Sequence, residues 1–267
     1  MQRKNVLRDN FQRRWNSAKS HLRGFRKSRD LEELHQFRVD VKKMRAILFL
    51  QKNEFGRGKI KNLFLPFEKI YKKAGKIRCA DVSLKLLKRY GIENKKIEME
   101  RMAIIKKLSN RFILKTDSFI KKLNSAKKNS SIKLIEPDRH EIKKIEESQV
   151  KLLKRAFRKK MKSELLHELR KNLKNLLYVN ELFDRRISNE IKLNVAYLKE
   201  LEETIGKWHD LDFTIELLEN SKHNKKDVLK LHSKKKKQLS KIYKLTENFE
   251  KRVSLEKNKS LIFIFLY

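Results

Sequence analysis

The sequence predicts an all-α protein, and three observations carry that reading. Punctuation is sparse: 6 Gly and 2 Pro occur in 267 residues, far fewer than sheets and tight turns usually require. The apolar and charged fractions are each 39%, enough for a sizeable core beneath a densely ionic surface. Finally, the best-patterned segments carry apolar residues at helical spacing. The chain reads as a single domain, 1–267, made of two four-helix halves, 1–129 and 130–267.

In chain order the helices are expected at 4–26, 30–51, 58–90 and 95–126, then at 138–161, 164–183, 187–220 and 224–258. Asp30 followed by Glu33 is a capping-box pattern in its Asp form and starts the second helix. Gly56 and Gly58 mark a turn before the third. The polar stretch Lys127 to Lys133 (KKNSSIK) reads as the linker between halves, and Pro137 lies where a new helix begins. The closing run Leu261 to Tyr267 (LIFIFLY) is the longest apolar one, and reads as the end of a last helix packing on the body. It is far short of the ~20 residues that span a bilayer.

The halves are two copies of one plan. LEELHQFRVDVKKMRAILF from Leu31 aligns with SELLHELRKNLKNLLYVNELF from Ser163, placing His167 132 positions after His35. Further on, AGKIRCADVSLKLL from Ala74 aligns with IGKWHDLDFTIELL from Ile205, 131 positions later. Two anchors in the same order at nearly the same spacing indicate duplication.

Each copy carries a basic stripe beside an apolar face. Leu34, Phe37, Val41, Met44 and Leu48 share one side of the second helix. His35, Arg38, Lys42 and Arg45 follow at i, i+3, i+7 and i+10, within an arc of ~80° that extends about 15 Å along the axis. That arc borders the apolar face, so it is expected to line a groove between helices rather than a solvated back. In the second copy Leu166, Leu169, Leu173 and Leu176 form the apolar face. His167, Arg170 and Lys174 hold the stripe, and Leu177 stands in place of Arg45. Whether the two histidines contact an anion or bond a neighbouring helix is open at this point.

Charge names the sign of the partner. Against 33 Asp+Glu there are 70 Lys+Arg, a formal net charge of +37, and a polyanion would relieve the resulting self-repulsion. Nucleic acid, an anionic membrane and polyphosphate all qualify. One cysteine, Cys79, excludes an internal disulfide and fits a reducing compartment. With no signal-peptide pattern in Met1 to Asn10 and no spanning run, the expected location is cytoplasmic.

The motifs resemble the paired signatures of CHAD domains, the conserved-histidine α-helical domains. His35-x-x-Arg38 and His167-x-x-Arg170 are each followed by cations at helical spacing, and a Gly-x-x-Arg-Asp-x-Asp-like element follows as Gly75, Arg78 and Asp81, and again as Gly206, Asp210 and Asp212. The similarity spans approximately 5–255. It implies two four-helix bundles related by pseudo-twofold symmetry, with a basic groove that binds inorganic polyphosphate, and association with polyphosphate granules. Stripe and resemblance together give the expected polyphosphate-binding set: His35, Arg38, Lys42, Lys43, Arg45 and Arg78, with His167, Arg170, Lys171 and Lys174. Tyr178, Asp81, Asp210 and Asp212 are expected in support, the aspartates as orienting partners of basic side chains. Lys42 and Lys43 stand where the family commonly has Arg, Leu177 where it has a cation, and Cys79 where it has Asp; His209 replaces Arg78 in the second copy.

Other readings follow from the same residues. Sequence-nonspecific RNA binding is the runner-up and needs exposed aromatics for stacking; Trp15 and Trp208 are the candidates, since Phe37, Phe112 and Phe119 fall on apolar faces. A phosphohydrolase acting through His35 or His167 ranks third, because no phosphate-loop, nucleophile-elbow or zinc-protease motif occurs. No enzyme activity, cofactor or metal site is expected.

Overall fold

The protein, seen here as a computed structural model, is described at residues 5–128, 133–157, 163–187, 193–221 and 223–254, without the side chains of 52–57, 163 and 184–187. Its helices are α1 (Val6–Ser28), α2 (Leu31–Leu50), α3 (Lys52–Tyr90), α4 (Lys95–Leu114), α5 (Thr116–Lys128), α6 (Arg139–Phe157), α7 (Ser163–Ile187), α8 (Val195–Asn220), α9 (Lys225–Thr246) and the short α10 (Phe249–Arg252). Among the described residues there is no strand; Leu193 and Ser254 form an isolated antiparallel bridge. The fold is all-α.

Several expected boundaries change. Gly56 and Gly58 mark no turn: both lie inside α3, which runs unbroken for 39 residues, about 58 Å at the usual rise. Pro66 is also accommodated within it. The expected fourth helix is two, because the chain breaks at Lys115 and restarts at Thr116, where the buried Thr116 hydroxyl bonds back to the Phe112 carbonyl. The last helix breaks at Asn248, which adopts a left-handed φ of 53°. The expected linker overlaps α5 at Lys127 and Lys128, and its centre, 129–132, lies outside the described residues, as does the run Leu261 to Tyr267.

Caps explain the remaining ends. Asp30 accepts from the Glu32 N–H, yet Glu33 does not complete the box; its carboxylate instead lies 2.6 Å from His21 Nδ1. A reciprocal box does open α6, where Asp138 accepts from the Glu141 N–H and Glu141 from the Asp138 N–H, just after Pro137. Gly91, at φ 67°, closes α3 with its N–H and that of Ile92 bonded to the last carbonyls.

The chain divides into two compact units, residues 1–137 with 216–227, and residues 138–215 with 228–267. In the first, Trp15, Leu22 and Phe25 of α1 pack with Phe37, Val41 and Met44 of α2 and with Phe67, Ala74 and Ile77 of α3. Phe112, Phe119 and Leu123 add the faces of α4 and α5. The buried Gln51 side chain exchanges two hydrogen bonds of 2.9 Å with the backbone of Ile135, tying the irregular 133–137 segment to this unit.

In the second unit, Leu166, Leu169, Leu173 and Leu176 of α7 face Leu198, Leu201, Ile205 and Trp208 of α8 and Ile242 and Leu245 of α9. Buried on α6 is Glu146, whose Oε2 has no hydrogen-bond partner. Burial pushes its carboxyl up to about 7, against an opposing bond from Asn180. A raised pKa means the folded state holds the proton more tightly than the unfolded chain. Stability therefore falls as pH rises from the ordinary value of 4.5 through about 7, and levels off above. Glu146→Gln is expected to melt like the wild type below pH 4.5 and at a higher temperature at pH 8; thermal melts at both pH values check it.

Candidate polyanion site

Side by side, α2 and α3 present matching rows. On α2 the row is His35, Arg38, Lys42 and Arg45; on α3 it is Glu68, Tyr71, Gly75 and Arg78, again at i, i+3, i+7 and i+10. Helix periodicity puts each row on one face, and the contacts pair them. Arg38 is the best-held cation. Its Nη1 donates to the Tyr71 carbonyl at 2.8 Å and its Nη2 to the Tyr71 hydroxyl at 3.1 Å, while its guanidinium carbon lies 3.8 Å from the centre of the Tyr71 ring. The approach needs Gly75: a Cβ there would sit 2.7 Å from Arg38 Nη1.

The rest of this seam is built around Arg38. Arg45 lies over the Phe64 and Tyr71 rings, with Glu68 3.7 Å away. The buried Asp81 carboxylate takes both Arg78 and Lys85, the latter at 3.0 Å. His35 is half-buried, and burial first, then Arg78, hold its imidazole below the ordinary value. Both effects favour the neutral imidazole. Lys42, within this row, and Lys43, next to it in sequence, are half-buried.

In the second unit, α7 and α8 repeat the arrangement with different chemistry. A Cβ at Gly206 would lie 2.8 Å from Arg170 Nη2, so the Arg-on-Gly contact recurs. Arg170 is held by a carboxylate: its Nε donates to Glu202 Oε1 at 2.9 Å, and Lys174 Nζ reaches the same oxygen at 3.2 Å. The exposed His167 has its ring 5.4 Å from that of His209. Burial, Arg170 and His167 hold His209 below its ordinary value. Lys171 is exposed and paired with Glu168 at 2.6 Å. Asp212 pairs with Lys235 of α9, whose ammonium lies 5.0 Å from the centre of the Trp208 ring. Asp210 adjoins His209 in sequence, and Tyr178 is half-buried one turn beyond Lys174. Leu177, in place of Arg45, packs against the apolar cluster.

Arg38 and Arg45 thus meet α3 and Arg170 and Lys174 meet α8, each pair within its own unit, whereas Lys171 pairs along its own helix. Two expectations are corrected. Trp15 and Trp208 are not exposed; at 0% and 4% exposure they are core residues, placed there by helical spacing with Phe11, Ala18 and Leu22, and with Leu201 and Ile205. Sequence reasoning missed Tyr71 and Glu202, the residues that position the two arginines. The signal was available, since the 131-residue offset aligns them. Among the described residues, no group of three or more His, Cys, Asp or Glu could hold a metal ion, and no helix is long and apolar enough to cross a membrane.

The CHAD domain model matches residues 10–219. Among solved structures, the chain is similar to the CHAD domain from the plant Ricinus communis, with a TM-score of 0.60, 18% identity, and 91% of each chain covered. No curated protein matches it in sequence. The family model covers most of the chain, and the chain belongs to the CHAD family.

Proposed function

We propose that the protein is a non-catalytic binder of inorganic polyphosphate, held along the cationic seams of α2–α3 and α7–α8. The observation that carries this reading is the fixing of Arg38 against Gly75 and Tyr71 beside Arg78, Lys42 and Arg45. Polyphosphate has no bases to stack on and no grooves to read, so its receptor needs rows of cations and little else. Arginine offers forked hydrogen bonds to phosphate oxygens, and lysine a mobile point charge. The family resemblance supports the same ligand, and would place the protein in the cytoplasm at polyphosphate granules. RNA is the weaker partner, because the tryptophans needed for stacking are buried.

Titration of the purified protein with long-chain polyphosphate at several salt concentrations is the test. Saturable binding is expected, with affinity falling on a log–log slope of roughly −0.7 per phosphate contacted, by analogy with single-stranded polyanions. Arg38→Ala combined with Arg170→Ala should lower affinity with helicity intact. Lys106 and Lys107, exposed on α4, give the charge-matched control. Equal losses in the two double variants would defeat the proposal, as would preference for RNA at matched charge or release of orthophosphate.

A further inference from the structure

The two seams differ at one aligned position in a way that changes their net charge. Tyr71 holds Arg38 through a carbonyl, a hydroxyl and a ring face. None of these carries charge, so the guanidinium keeps its full positive field. Glu202, 131 positions later, holds Arg170 and Lys174 through one carboxylate oxygen with a side chain only 15% exposed. That contact cancels one of two charges and occupies donors that phosphate would use. Other exchanges act in the same direction. Leu177 replaces Arg45 and His209 replaces Arg78, while Lys171, where the first copy has Val39, is offset by Glu168. The exception is Lys199, aligned with Glu68.

We infer that Glu202 is an internal competitor for the anion, leaving the α2–α3 seam as the stronger of the two binding seams and the α7–α8 seam latched by its own carboxylate. An incoming phosphate must displace a charge-assisted hydrogen-bonded partner to reach Arg170, whereas at Arg38 it meets an uncompensated cation. This rests on the polyanion-binding reading for its ligand, although the latch itself is a property of the second unit.

Glu202→Gln removes the charge and keeps a similar shape. Glu203→Gln, exposed and adjacent, makes the same change in net charge elsewhere. With polyphosphate, Arg38→Ala alone should cost tenfold or more, and Arg170→Ala alone less than twofold. Glu202→Gln should tighten binding several-fold, steepen the salt slope by about 1.4, as for two added phosphate contacts, and restore binding to the Arg38→Ala protein. Retention on heparin, a polyanion of different chemistry, reads the freed cations independently. Glu202→Gln should elute at higher salt than Glu203→Gln, and adding Arg170→Ala should abolish the difference. Identical elution of the two glutamine variants overturns the latch whatever happens with polyphosphate, as do equal losses from Arg38→Ala and Arg170→Ala. Failure of the wild type to bind polyphosphate while the heparin difference persists would sink the ligand and leave the latch.

Discussion

Trp15→Ala is expected to destabilise the protein by about 3–5 kcal/mol, the range for truncating a large buried aromatic. Trp15 is fully buried, with its ring centre 4.6 Å from Phe67 in an edge-on arrangement and 5.7 Å from Phe11. It joins α1 to α3 beneath the helix carrying Tyr71 and Gly75. Trp15→Phe should cost far less, because the indole Nε1 has no hydrogen-bond partner to lose. Chemical denaturation of the two variants measures the difference. An alanine variant within about 1 kcal/mol of the wild type would contradict the packing, and would return the side chain to the pool of candidate base-stacking groups.

A second large effect is expected at Gly75, with stability and binding moving apart. Alanine in a helix interior is favoured over glycine by about 1 kcal/mol. The new Cβ, however, would lie 2.7 Å from Arg38 Nη1, so the guanidinium must leave its place on Tyr71. Its lost hydrogen bonds, each worth about 1 kcal/mol, offset the propensity gain. Gly75→Ala should therefore melt within a few degrees of the wild type and yet bind polyphosphate as poorly as Arg38→Ala. Paired melting and titration decide the matter, and wild-type affinity in Gly75→Ala would show that the Arg38 pose is not used. The unequal seams should make the loss of binding smaller for the corresponding change at Gly206, although a Cβ there also meets its arginine, at 2.8 Å.

Much of the fold was legible because helical periodicity is a local property. Leu34, Phe37, Val41, Met44 and Leu48 are all buried, as are Leu166, Leu169, Leu173 and Leu176, and their spacing alone said so. Trp15 belonged to the same kind of pattern, with Phe11, Leu22 and Phe25 on its face. Its residue type suggests a stacking surface, but its position in the helix places it in the core. Glu33 was half-legible: the capping pattern placed it, but His21 on the preceding helix competes for its carboxylate, and such a partner is invisible to a rule confined to one turn. Gly56 and Gly58 look like punctuation in the sequence, yet an isolated glycine costs a helix only about 1 kcal/mol, and the apolar residues following them hold α3 together.

The candidate site was legible as a list and not as an arrangement. The stripe spacing picked out His35, Arg38, Lys42 and Arg45, but the side chains that hold Arg38 and Arg170 lie 33 and 32 residues further on. Their type differs between the copies, so neither motif included them. Only the packed helices reveal that Gly75 and Gly206 are glycines because an arginine lies against them.

The clamped pose of Arg38 has a consequence for how the +37 surface works as a whole. A long side chain that swings freely surrenders on the order of 2 kcal/mol of rotamer entropy when a ligand pins it. Arg38 has already given up that freedom during folding, against an aromatic plane and a peptide oxygen. Exposed lysines such as Lys106 and Lys107 still have theirs to lose. Polymer capture should thus be graded along the chain: a few stiff guanidinium anchors set the dwell time, and the many mobile ammonium groups mainly set the rate of arrival.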